Sequence, residues 1–368
     1  MTIRSSILFG IPFSRVSVAD SLDWIGERIR SRKPSFIVTP NLDFAMQAAK
    51  DVELQNLLID ADLSLCDGMP IFRFARWAGS TLPEKVSGSD LVPLIFERAS
   101  REGWRLFLLG ASDEVLRTVA RRMEREFPGA ILAGRHSPPI APLAKYDHAG
   151  ISRMIEEARP DLLLVGLGCP KQEKLIAMMY RKLGVPVSIG IGASLDFMAG
   201  KVRRSPRWIS IAGAEWIVRL VQEPRRLVKR YWGNGLFLLR DLARQCLRVS
   251  RGHPDRVHRM QLAESEGILR VSFFGHLGSS LFQECEILLP RARSSDVLLD
   301  LSGAESLDYD ALGFIARLKK ECSDSRRKLV IRAEGAVSIS LAAARMDRVV
   351  PVVPDVDRAL GLLVWANS

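Results

Sequence analysis

Along the first two hundred residues the spacing of apolar positions switches repeatedly between two periods. Short, almost wholly apolar runs occur at residues 35–39 (SFIVT), Arg105–Gly110 (RLFLLG), 161–166 (DLLLVG) and 186–192 (PVSIGIG), and each ends in glycine or a polar turn. Between them lie stretches with helical spacing, such as Asp113–Glu126 behind Ser112 as a cap, and His148–Ala158. Buried strands alternating with amphipathic helices predict an α/β fold whose sheet is mostly parallel. The N-terminal MTIRSSILFGIPFSRVSV has no small-residue cleavage pattern and reads as a first strand. In parallel sheets ligands bind beyond the carboxyl ends of the strands, so the polar residues that follow the apolar runs are the candidate chemistry.

The texture changes after residue 200. Residues 201–250 are rich in Arg and Trp with helical spacing; 251–261 (RGHPDRVHRMQ) read as a linker. A smaller α/β unit follows over 262–368, with strands expected at 268–274, 296–301 and 328–332 and helices at 309–322 and 336–345. The first unit, 1–200, is expected to be Rossmann-like, with helices on both faces of its sheet. A length of 368 residues suits two cores.

Five scattered cysteines without a C-x-x-C pair point to a reducing compartment, the cytoplasm by default, and away from a zinc or disulfide framework. The longest apolar run, 162–170, is well short of the roughly 18–20 residues that span a bilayer. The net charge of +11 is concentrated: residues 201–250 hold twelve basic and three acidic residues, a net +9. That segment is a candidate surface for an anionic partner. Within it Arg240, Arg244 and Arg248 recur every fourth residue among leucines. The pattern suits an interfacial membrane helix and equally a solvated helix face. Nucleic acid is the rival partner, but the segment carries no nucleic-acid-binding motif.

Five clusters could carry chemistry. Thr39-Pro40-Asn41 and Asp67-Gly68 follow strands, and each also describes a simple turn or helix cap. Ser87-Gly88-Ser89-Asp90 can begin a helix. Gly166-Leu167-Gly168-Cys169-Pro170-Lys171-Gln172-Glu173 is a strand, a glycine turn and a helix start with a lysine beside it, able to hold a diphosphate. Gly190–Gly192, Asp196 and 200–206 complete the set. Asp60-Ala61-Asp62 has the spelling of a metal-binding D-x-D, which also arises by chance.

In this order the pieces resemble the WecG/TagA/CpsF glycosyltransferases, whose pattern runs T-P-N, D-G, T-G-x-D, G-x-G-x-P-K-Q-E, G-x-x-x-D-F-x-A-G, R-A-P and E-W-x-x-R-L-x-x-E-P-x-R. Here Gly192 to Gly200, Arg204-Ser205-Pro206, Glu215-Trp216, Arg219-Leu220, Glu223-Pro224, Arg226 and Arg230-Tyr231 continue the match. Departures are Ser87 for Thr, Ser205 for Ala, and RHSPP at 135–139. The resemblance implies inverting transfer of a hexosyl or N-acetylhexosaminyl group from a UDP-sugar to a sugar on undecaprenyl diphosphate, in bacterial surface-polysaccharide synthesis at the inner face of the cytoplasmic membrane. It implies Asp67 as catalytic base, Thr39 (counted with it among the catalytic residues) and Asn41 lining the sugar pocket, and Gln172 on the nucleotide-sugar. Gly68, Gly88, Asp90, Gly168 and Lys171 would complete the substrate site. It further implies no metal cofactor, with Arg219, Arg226 and Arg230 supplying the positive charge from an appendage that closes on the site and meets an anionic membrane.

The C-terminal unit resembles a STAS domain through Val297–Ser302 and Leu307-Asp308-Tyr309-Asp310-Ala311-Leu312-Gly313. Tyr309 and Asp310 stand where regulated members carry a phosphorylatable serine, and an Asp there carries a fixed negative charge. This implies a constitutive protein-interaction module, against a purely structural appendage; whether the chain self-associates is left open. The rival function is a non-catalytic regulator that binds a nucleotide-sugar and signals through this unit.

Overall fold

The computed structural model describes residues 3–80, 82–201, 224–250, 258–265 and 267–364. The chain opens with an antiparallel hairpin, β1 (Ser5–Leu8) and β2 (Ile11–Ser14), that pairs with neither of the larger sheets. The N-terminal segment is thus a strand, as predicted, but not part of the main sheet. Its turn holds Phe9 and Gly10 at φ 54° and 81°, the left-handed backbone that a two-residue hairpin turn needs.

The main sheet has six parallel strands in the order β4 (Leu63–Ser64), β3 (Ser35–Val38), β8 (Val187–Gly190), β7 (Leu162–Gly166), β5 (Arg105–Gly110) and β6 (Ile131–His136). The fold class is the predicted one. Helices connect the strands: α1 (Val18–Ser31), α2 (Leu42–Ala48), α3 (Val52–Asp60), α4 (Met69–Trp77), α5 (Gly88–Glu102), α6 (Asp113–Glu126), α7 (His148–Ala158), α8 (Lys171–Leu183) and α9 (Ser194–Met198). Ser112 caps α6 by accepting from Val115 N. Strands buried on both faces explain the unbroken apolar runs, because each side packs against helices. As all six strands are parallel, residues after β3, β4, β7 and β8 emerge along one edge.

Helix α10 (Pro224–Arg248) starts at Pro224, where a missing N–H costs nothing. The second sheet has the order β13 (Val352–Val353), β12 (Leu329–Arg332), β11 (Asp296–Leu307), β10 (Ile268–Leu277), β9 (His258–Ser265). Only β9 runs antiparallel to its neighbour. It takes residues 258–261, so the end of the expected linker is a strand. Helices α11 (Cys285–Ala292), α12 (Tyr309–Asp324), α13 (Gly335–Ala343) and α14 (Val356–Val364) complete this unit.

The two units share one core. Apolar side chains on one face of the six-stranded sheet continue through Ile7, Phe9 and Phe13 of the hairpin to Leu312, Phe314 and Leu341 of the C-terminal unit. At Gly313 of α12 an added Cβ would lie 1.9 Å from the Ser5 carbonyl oxygen, so helix and hairpin touch backbone to side. Asp310, at the position expected to face a partner protein, is buried and binds Arg15 and Ser6 of the same chain.

Helix α10 is clamped between the units. Arg345 donates to Asp241 Oδ2 (2.9 Å) and to Phe9 O (3.2 Å), and Gln245 donates to Asp241 and accepts from Phe9 N. One member of the arginine stripe departs from the solvent-facing pattern. Arg244 turns inward to the Ala342 carbonyl, and the Arg248 carbonyl accepts from Ser340. The outward face carries Leu236, Leu239 and Leu247, exposed by 57%, 69% and 83%, with exposed Arg240 and Arg248.

Candidate active site

The base candidate sits at the end of the edge strand. Leu65 N donates to Val38 O (2.9 Å) and Asp67 N to Pro40 O (3.1 Å), which holds the exit of β4 against that of β3. Val86 N donates to Cys66 O (2.9 Å) and brings the 84–88 turn against the same residues. Asp67 is half-buried, and Gly68 opens α4. A Cβ on Gly68 would stand 3.7 Å from that of Asn41, so Gly68 faces Asn41. Asn41 caps α2, its Oδ1 accepting from Asp43 N (3.0 Å) and Phe44 N; the cap uses only the oxygen of the carboxamide. Burial, and then the charge of Asp67, push the Cys66 thiol up to about 12, so it stays protonated and is no nucleophile.

The glycine loops lie at the sheet centre, and Gln172 organises them. Its Oε1 accepts from Gly168 N (3.1 Å) and Gly192 N (3.0 Å), joining the turns after β7 and β8. Its Nε2 donates to Glu173 Oε1 (2.7 Å). Gly190 leaves no space for a Cβ, which would meet Gln172 Nε2 at 2.6 Å, and its carbonyl accepts from buried Thr39 Oγ1 (2.9 Å). Gln172 and Thr39 were expected on the substrate. Both are buried here and tie the loops together.

Lys171, expected beside a diphosphate, donates to Ala141 O (2.9 Å) and fastens the 137–147 segment. Ser87 caps α5, and Asp90 completes the cap by accepting from Ser87 Oγ (2.6 Å), with Lys85 at 3.4 Å. Gly88 lies against the turn after β8: a Cβ there would stand 2.9 Å from Ser194 Oγ. Arg219 lies outside the described residues, as do the side chains of Arg226 and Arg230 on α10.

Two residues went unselected from the sequence. Glu173 is fully buried, and burial raises its carboxyl to about 7 against hydrogen bonds from Gln172 and Cys169. Lys85 is a mostly buried cation in the turn against Cys66 and Asp67; its place directly before Val86-Ser87-Gly88 was the available signal. The D-x-D spelling is spent elsewhere. Asp60 accepts from Lys319 (2.7 Å) and Asp62 pairs with Lys320 (3.2 Å) at the opposite end of β4, in the contact between the units.

The model of the glycosyl transferase WecG/TagA/CpsF family matches residues 6–252. An N-acetylglucosaminyldiphosphoundecaprenol N-acetyl-beta-D-mannosaminyltransferase of Bacillus subtilis is 27% identical, over 61% of this chain and 86% of its own length. The enzyme of that name from Staphylococcus aureus is 23% identical over 60% and 85%. Among solved structures, an anti-sigma factor antagonist from Mycobacterium paratuberculosis is 22% identical over 30% of this chain and 97% of its own, with a TM-score of 0.27. The motifs along the edge of the parallel sheet and the match over 6–252 make this chain a glycosyltransferase of the WecG/TagA/CpsF family.

Proposed function

We propose that the enzyme moves a hexosyl or N-acetylhexosaminyl group from a UDP-sugar to a sugar carried on undecaprenyl diphosphate, with inversion, while resting on an anionic membrane. The observation that supports this reading is Asp67 at the carboxyl end of β4, held to Pro40 O, at the same end of the sheet from which the glycine turns after β7 and β8 emerge. Asp67 takes the proton from the acceptor hydroxyl as its oxygen attacks the anomeric carbon. The bond from that carbon to the diphosphate breaks on the opposite face, and UDP leaves with the electron pair. Arg219, Arg226 and Arg230 supply the charge that stabilises it.

Thr39 and Gln172 act through the shape of the loops at Gly168, Gly190 and Gly192. Asn41 lines the sugar pocket beside Gly68, and Gly88, Asp90 and Lys171 hold the surrounding segments. The acceptor class comes from the relatives' activity together with the net +9 of residues 201–250. Among the described residues no helix is long and apolar enough to cross a membrane, and the outward leucines of α10 offer contact without crossing. The test is UDP release by the full chain from a panel of UDP-sugars with a lipid-diphosphate-GlcNAc acceptor. One donor should be released faster when acceptor is present. No acceptor-dependent release from any donor would contradict the reading.

A further inference from the structure

A cleft of about 500 Å³ opens between α4 and the loop after it, lined by Phe72, Arg76, Gly79, Ser80, Leu82 and Pro83. We propose that this cleft holds the diphosphate and first prenyl units of the lipid-linked acceptor; the inference rests on the transferase reading above.

The geometry is that of a ruler starting at the base. Helix α4 begins immediately after Asp67-Gly68. Phe72 and Arg76 are four residues apart and share one face, at about 6 and 12 Å of helical rise from Gly68. An acceptor whose hydroxyl is at Asp67 and whose sugar lies along α4 would bring its diphosphate within reach of the long Arg76 side chain. Phe72, Leu82 and Pro83 give the cleft the apolar wall that a prenyl chain needs and a nucleotide does not. A guanidinium provides the charge-assisted hydrogen bonds that phosphate oxygens take.

The glycine turns lie well away from α4. Strand β4 is the edge strand, with β8 and β7 two and three strands away, about 10 and 14 Å at the usual strand spacing. The donor loops thus lie across the sheet from Asp67, whereas the cleft is built on the helix that starts directly after it. Beyond the cleft Trp77 is 43% exposed and stacks on Phe74 (5.5 Å), which meets Phe9 (4.9 Å), which meets Phe237 of α10 (6.5 Å). This row of rings links the cleft to the helix that carries the outward leucines. The cleft floor is tied to the C-terminal unit: Ser80 bonds Ser6 (2.6 Å), Ser6 donates to Asp310 (2.5 Å), and Tyr309 packs edge-on against Phe74.

The test is calorimetric titration of the full chain with farnesyl diphosphate, with inorganic diphosphate as the second probe. Arg76→Ala should weaken farnesyl diphosphate by about tenfold or more, the loss of one charge-assisted contact, and Arg76→Lys should recover much of it. Phe72→Ser should weaken it by about fivefold with the melting temperature checked, and inorganic diphosphate should bind at least about tenfold more weakly than the prenyl compound. Unchanged affinity in both Arg76→Ala and Phe72→Ser would overturn the proposal. So would equal affinity for the two probes, or no binding of farnesyl diphosphate by the wild type. A wild type that shows the expected binding pattern but transfers no sugar would contradict the transferase reading and leave the cleft standing. Transfer with unaltered binding in the variants would contradict the cleft alone.

Discussion

Glu173 holds a carboxyl group where water does not reach. Below about pH 4.5 it is protonated in folded and unfolded chains alike. As pH rises towards about 7 the unfolded chain releases that proton while the fold retains it, so this residue withdraws stability across that window, and the loss is constant above it. Glu173→Gln keeps an oxygen for Gln172 and removes the charge. It should raise stability at pH 8 by about 1–3 kcal/mol and have no such effect near pH 4.5, read from denaturant melts at the two values. An equal effect at both would contradict a raised carboxyl. The residue pattern around it was legible in the sequence as a strand, glycine turn and helix, because those are local features. The partners of Gln172 were not, since Gly192 lies twenty residues away in another strand's turn.

Helices show the same limit at the next scale. Asp113–Glu126 and His148–Ala158 were readable to the residue because cap, period and end signals are local. On helix α10 the arginines at every fourth residue do not share one environment: Arg240 and Arg248 are exposed, while Arg244 turns inward. Asp241 and Gln245 go inward because Arg345, about a hundred residues later, supplies a buried guanidinium between them and the hairpin turn. Helix α12 was placed correctly as an element, while its Asp310 proved to face the chain itself. That leaves the regulator reading without the open surface it would use there. Gly313→Val tests this contact. Its side chain would press on the Ser5 backbone, which cannot swing aside, and should cost about 1–3 kcal/mol as overpacking does. The thermal melt should shift down or split in two; an unchanged melt would contradict an interlocked pair of units.

For the molecule as a whole, the family portion ends near residue 252 and the C-terminal unit lies beyond it, yet the apolar core runs through both. The hairpin joins them, and the same hairpin and α12 support α4 behind Asp67. Outside this body α10 presents its leucines beside Arg240 and Arg248. If that face meets the membrane, Leu236→Ser with Leu239→Ser and Leu247→Ser should reduce flotation with anionic liposomes about tenfold or more, because each exposed leucine loses its apolar transfer energy. Flotation equal to wild type would place the contact elsewhere. The most direct measurement concerns Asp67: the initial rate of sugar transfer to a lipid-diphosphate-GlcNAc acceptor by wild type and Asp67→Asn, at saturating donor and matched folded fractions. A turnover lower by about 10²-fold or more with donor binding retained is the predicted result, and near-wild-type turnover in the variant would contradict its role as the base.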